Sequence, residues 1–88
     1  MRVAINNRIY DPSTATALGS FTRRGIRETL YRKKNGEYFV HMYNDKAEGN
    51  KKNGWHGKEK IVPCSIQDAK DWAATHLNKN QDKFNELF

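Results

Sequence analysis

Arginines and lysines interleaved with aromatic rings are the residues best equipped to do chemistry in this chain. Arg23, Arg24, Arg27, Arg32, Lys33 and Lys34 fall within one short stretch, among Tyr31, Phe39, His41 and Tyr43. Cations neutralise phosphates, and aromatic faces stack on bases at about 1–3 kcal/mol each. The chemistry this composition points to is therefore binding of a polyanion, nucleic acid above all. Lys51, Lys52, Trp55 and Lys58 extend the same pattern further along the chain.

Other chemistries are poorly served. His41, His56 and His76 with the single Cys64 do not make a zinc spacing. Cys64 follows Pro63 at a strand-to-helix junction, where a buried or capping role is more ordinary than nucleophilic catalysis. Asn53-Gly54-Trp55-His56-Gly57-Lys58 has glycines and a lysine, but lacks the phosphate-loop spacing. The chain is expected not to be an enzyme, and no cofactor is expected.

Charge is unevenly placed. The chain carries +6 overall, and residues 22–34 hold six Arg/Lys against one acid. Residues 45–60 hold five Lys against three acids, and residues 65–88 three Lys against four acids. A one-sided excess of this kind favours an acidic partner.

The elements that must position these residues are read as follows. Eighty-eight residues are expected to make one domain with a thin core. One cysteine allows no internal disulfide, and no apolar run is long enough for a signal peptide or a membrane span. A cytoplasmic location and no membrane partner follow by elimination.

The central element is a hairpin over residues 26–43, because Asn35-Gly36 separates two runs of β-formers. A two-residue loop would pair Lys34 with Glu37. A three-residue loop with Gly36 as the bulge residue would pair Lys33 with Glu37. The second register is preferred, because Leu30, Tyr38, Val40 and Met42 then share one face, with Arg32 near the tip. Tyr31, Lys33, Phe39, His41 and Tyr43 share the other face. Those aromatics are either a second core under a covering element or a stacking platform.

Upstream, Val3 to Tyr10 reads as a short hairpin turning at Asn6-Asn7, and Asp11 caps a turn whose first helical position is Pro12. Residues 15–21 read as a strand and 22–25 as a basic connection. Residues 44–60 read as a long polar loop in which Trp55-His56 either anchors the loop or faces a partner. A short strand at 61–62 ends at Pro63. Ser65 then caps a helix over 65–77, with Asp68 at the capping-box distance. Ile66, Ala69, Trp72, Ala73, His76 and Leu77 share its apolar stripe, with Trp72 expected as the largest core residue. Asn78 is expected to end the helix, and residues 82–88 to add a helical turn. The fold class is α+β: a small antiparallel sheet of four to five strands, with the one C-terminal helix packed on one face.

Three stretches carry a resemblance: Tyr10 to Gly19, Glu28 to Val40, and Ile61 to Ala73. They resemble a family of small, largely uncharacterised proteins of Gram-positive phages and mobile elements. The shared motifs are turns, strands and a capped helix. Members often carry a glycine-rich segment where this chain has Asn44-Asp45-Lys46, and Leu where it has Cys64. The company such proteins keep includes anti-CRISPR proteins. The resemblance thus implies a phage or mobile-element binding protein, a candidate inhibitor of a host CRISPR-Cas nuclease. Its partner would be nucleic acid or an acidic nucleoprotein such as a Cas effector. The alternative is a protein-interaction or structural accessory module without nucleic-acid binding.

Overall fold

The computed structural model describes residues 2–45 and 55–77. Its strands are β1 (Val3–Ile5), β2 (Arg8–Tyr10), β3 (Thr16–Arg23), β4 (Ile26–Arg32), β5 (Tyr38–Asn44), β6 (Trp55–His56) and β7 (Glu59–Cys64). A 3-10 turn spans Pro12–Thr14, and one helix, α1, spans Ile66–His76. The principal sheet is antiparallel, with five strands in the order β3-β4-β5-β7-β6. β1 and β2 form a separate two-stranded ribbon. The α+β class is as expected, and α1 lies on one face of the principal sheet.

The three-residue turn sets the register. Lys33 N donates to Glu37 O at 2.7 Å, Gly36 N donates to Lys33 O at 3.0 Å, and Gly36 takes φ 90°. Arg32 consequently lies opposite Tyr38, and Leu30 opposite Val40. Side chains alternate across a strand, so this pairing fixes both faces. On one face Leu30, Tyr38, Val40 and Ala69 form a buried cluster, with Leu18, Met42, Val62 and Trp72 packed beside it. On the other, Phe39, Ile61, Val3 and Tyr10 form a second cluster. The aromatic face is thus largely a second core, and its covering element is the β1–β2 ribbon.

That ribbon is held from two sides. Asn6 and Asn7 turn it in the left-handed region, at φ 50° and 64°, a conformation asparagine tolerates. Tyr10 meets Phe39 edge-on at 5.5 Å, while Tyr31 stacks flat on Phe39 at 5.2 Å. Arg8 forms an ion pair with Glu37 in the β4–β5 turn. After the ribbon, Asp11 caps the 3-10 turn. The Ser13 hydroxyl and then its backbone amide donate to the Asp11 carboxylate, and hold that carboxyl below its usual range.

The helix obeys its sequence signals at the start. Ser65 accepts from the Asp68 amide, and Asp68 accepts from the Ser65 amide, completing the capping box. Ala69 and Ala73 are buried four residues apart, and their small side chains let the helix lie close to the sheet. Gly19 serves the same approach from the sheet side. A Cβ there would stand 2.7 Å from Leu77 Cδ1.

Several expectations are corrected. Residues 22–25 are no loose connection: Thr22 and Arg23 belong to β3, and Arg24-Gly25 make a tight turn at φ 53° and 80°. The strand expected at 61–62 runs from Glu59 through Pro63 to Cys64. Pro63 is tolerated because β6 pairs only with Glu59 and Lys60, so no described strand needs an N–H from it. Within the expected loop 44–60, Asn44 closes β5, and residues 55–60 form a β6–β7 hairpin around Gly57 at φ 67°. Phe39 and Leu30, not Trp72, are the largest fully buried side chains. Trp72 is half-buried, and its Nε1 donates to Glu28 Oε1 at 3.1 Å. Ile66 leaves the core stripe and is 54% exposed. The helix end expected at Asn78 and the turn expected at 82–88 lie outside the described residues.

These packings rank two substitutions. Phe39→Ala should cost about 3–5 kcal/mol, and Trp72→Ala roughly half as much, because the indole is already part exposed. Denaturant unfolding of both variants measures this. A Trp72→Ala loss as large as that of Phe39→Ala would contradict the packing described.

Candidate nucleic-acid interface

The strand order separates the expected cations into two groups. β4 has the β3–β4 turn before it and the β4–β5 turn after it. From Ile26 to Arg32 is six residue steps, about 20 Å at strand rise. Arg23, Arg24 and Arg27 therefore stand at one end of the sheet, and Arg32, Lys33 and Lys34 at the other. That distance exceeds the screening length of about 8–10 Å at ordinary salt, so the two groups act on a ligand separately.

At the β4–β5 turn a single carboxylate, Glu37, is shared by Lys33 and Arg8. Lys33 Nζ donates to Glu37 Oε1 at 2.9 Å and lies 4.4 Å from the centre of the Tyr10 ring. Its side chain is only 16% exposed. Arg8 takes the other carboxylate oxygen of the same Glu37. Arg32 and Lys34 remain exposed. Tyr31 is half-buried against Phe39, so its ring is committed to packing.

The other end is different. Arg23 closes β3, Arg24 sits in the turn, and Arg27 opens β4; all three are exposed, and none pairs with a described carboxylate. The register places Thr22, Arg27, Tyr43, Glu59 and His56 in one transverse row across all five strands. At about 4.8 Å between strands, the row is roughly 19 Å long. Tyr43 is not part of the cluster that the ribbon forms with Phe39 and Ile61. Tyr43 is accordingly among the exposed large apolar residues, at 38%.

Lys58 joins this end through the β6–β7 turn, where its carbonyl accepts from Asn44 N at 2.8 Å. Its ammonium is 4.0 Å from Asp45, with both side chains well exposed, so water and salt weaken the pair and the charge stays available. Glu59 is engaged by His41 Nε2 at 2.9 Å. Trp55 lies on the helix side of the sheet opposite Lys60, whose ammonium is 5.9 Å from the ring centre. Lys51 and Lys52 lie outside the described residues, between Asp45 and Trp55. His56 completes the row, and sequence reading missed its place there. The signal was Gly57-Lys58, a two-residue turn compatible with a hairpin.

A cleft of about 430 Å³ opens at the opposite end, lined by Arg8, Tyr10, Glu37, Tyr38, Cys64 and Ser65 among others. Its chemistry is self-satisfied. Arg8 and Glu37 neutralise each other, and Asp68 already occupies the amide of the helix cap. Burial, then the charge of Asp68, pushes the Cys64 thiol up to about 11, so it is neutral at physiological pH. Among the described residues no group of three or more His, Cys, Asp or Glu could hold a metal, and no helix is long and apolar enough to cross a membrane.

No family model, curated protein or solved structure matches the chain. The geometry of the site is therefore what bears on function.

The raised Cys64 pKa has a measurable sign. An unfolded thiol ionises near 9.0 and the folded one near 11. The thiol's contribution to stability is therefore full below pH 9 and is lost as pH rises through that window. At pH 8, iodoacetamide should alkylate the native protein roughly 10- to 100-fold more slowly than the denatured chain. Equal rates would contradict the burial of Cys64.

Proposed function

We propose that this chain is a small nucleic-acid-binding protein whose contact surface is the sheet end carrying Arg23, Arg24, Arg27, Tyr43 and Lys58. The observation that carries the reading is exposed Arg27 directly opposite exposed Tyr43 across β4 and β5, with exposed Arg23 and Arg24 at the same sheet end and none of the three paired with a described carboxylate. Arginine guanidinium groups bind phosphate in fork geometry, and their exposure means that little desolvation opposes contact. The resemblance to proteins of phages and mobile elements suggests the setting. There the target is nucleic acid or a nucleoprotein, and inhibition of a host Cas nuclease is the candidate outcome.

A second reading has its own support. β3 is an edge strand of eight residues, and no described strand pairs with its outer side. An extended protein segment can add to such an edge. In that case the chain is a protein-interaction module, and the arginines dock on an acidic protein surface. Capture of a nucleoprotein partner that is lost after nuclease treatment favours the first reading; capture that survives it favours the second.

Four phosphate contacts, by Arg23, Arg24, Arg27 and Lys58, imply a log–log salt slope near −3.6 on duplex DNA. Affinity should then fall roughly 100-fold between about 50 and 200 mM salt. Charge reversal at Arg23, Arg24 and Arg27 should weaken binding equally across sequences, because phosphates carry no sequence information. The same change at Arg32 and Lys34 should matter less. Fluorescence polarisation reads all of these. No binding to DNA or RNA at about 50 mM salt would refute the proposal.

A further inference from the structure

We infer that Tyr43 is a base-stacking platform, and that the site prefers single-stranded nucleic acid over duplex. This rests on the nucleic-acid reading of the same sheet end and goes beyond it by naming the ligand's form.

The aromatic rings of this face differ in what already covers them. Tyr31 lies flat on Phe39, with ring planes 12° apart, and Tyr10 closes on Phe39 at 74°. Phe39 is fully buried. Tyr10 and Phe39 are buried and Tyr31 gives one face to Phe39, so Tyr43 is the most exposed ring of this face. Tyr43 is on the same face, four residues along β5 from Phe39, about 13 Å at strand rise. It is outside the hydrophobic cluster under the β1–β2 ribbon and is 38% exposed.

Its neighbours then orient a ligand. Arg27 stands directly across the ladder on one side and Glu59 on the other. Phosphates are attracted to the Arg27 side, where Arg24 stands in the adjoining turn, and repelled from the Glu59 side; Arg23, paired with Ile26, lies on the other face of the same sheet end. A strand running along the β3–β4 side can lay a base over Tyr43 while its phosphates meet the arginines. A duplex cannot do this, because its bases are already paired and stacked and offer no free face.

The test is fluorescence polarisation at about 50 mM salt, with labelled dT12, U12 and a duplex of twelve base pairs. Wild type, Tyr43→Ala and Tyr43→Phe are compared, with circular dichroism checking the fold. Wild type should bind at least one single strand more tightly than the duplex. Tyr43→Ala should weaken single-strand binding roughly 5-fold or more and leave duplex binding unchanged, while Tyr43→Phe keeps the preference. Equal losses on single strand and duplex, or no loss on either, overturn the stacking role while the arginine site stands. Failure of wild type to bind any of the three probes overturns the nucleic-acid reading itself, and this inference with it.

Discussion

Everything in this molecule depends on one turn. Gly36 takes φ 90°, and Glu37 organises the residues before it. Its backbone amide donates to Asn35 Oδ1 at 3.0 Å, and its carboxylate accepts from Asn35 Nδ2 at 2.7 Å and from Lys33 Nζ at 2.9 Å. A side chain other than glycine is strained at that φ, and Asn35 is not left-handed, which fits the three-residue loop rather than a two-residue turn with both central residues at positive φ. Sliding the pairing by one residue would bring Phe39, His41 and Tyr43 to the face that now carries Leu30. The helix would then meet the rings and the ribbon would meet Val40. The observed register instead gives α1 an aliphatic bed and gives the β1–β2 ribbon an aromatic one.

The same glutamate shapes the charge distribution. By binding both Lys33 and Arg8, it holds two cations of the turn end in fixed contacts and ties the ribbon down. At the distant end no described carboxylate pairs with the arginines: Glu28 accepts from Trp72 on the helix side, Glu59 is held by His41, and exposed Asp45 stands 4.0 Å from Lys58. A net charge of +6 distributed at random would say little about function. What gives it meaning is that the fold commits Lys33 to Glu37 and the Tyr10 ring, and leaves Arg23, Arg24 and Arg27 exposed beside Tyr43.

The parts of the fold that were legible in sequence rest on local, high-contrast signals. Asn35-Gly36 with segregated aliphatics revealed the hairpin and its register, and Ser65 with Asp68 revealed the capped helix. What stayed hidden depends on partners distant in sequence. Arg24 gives no hint of a left-handed turn, because arginine rarely adopts one. Pro63 reads as a terminator unless the strand is known to be on an edge there. The β6–β7 hairpin was masked by polar, glycine-rich surroundings. For the site, the sequence identified the right residue types but not which cations are compensated. Lys33 and Arg24 look alike in sequence, and only the fold places Glu37 beside one and solvent around the other. The commitment of Tyr31 to packing, and the freedom of Tyr43, likewise depend on where the ribbon ends.

The central claim is that register and cover together leave one end of the sheet as the contact surface. Backbone amide chemical shifts during titration with dT12 at about 50 mM salt test it directly. The account predicts saturable changes confined to residues 22–27, 43–45 and 56–58, with residues 32–38 and the helix unmoved. Changes centred on the β4–β5 turn or on α1, or no changes at all, would contradict it.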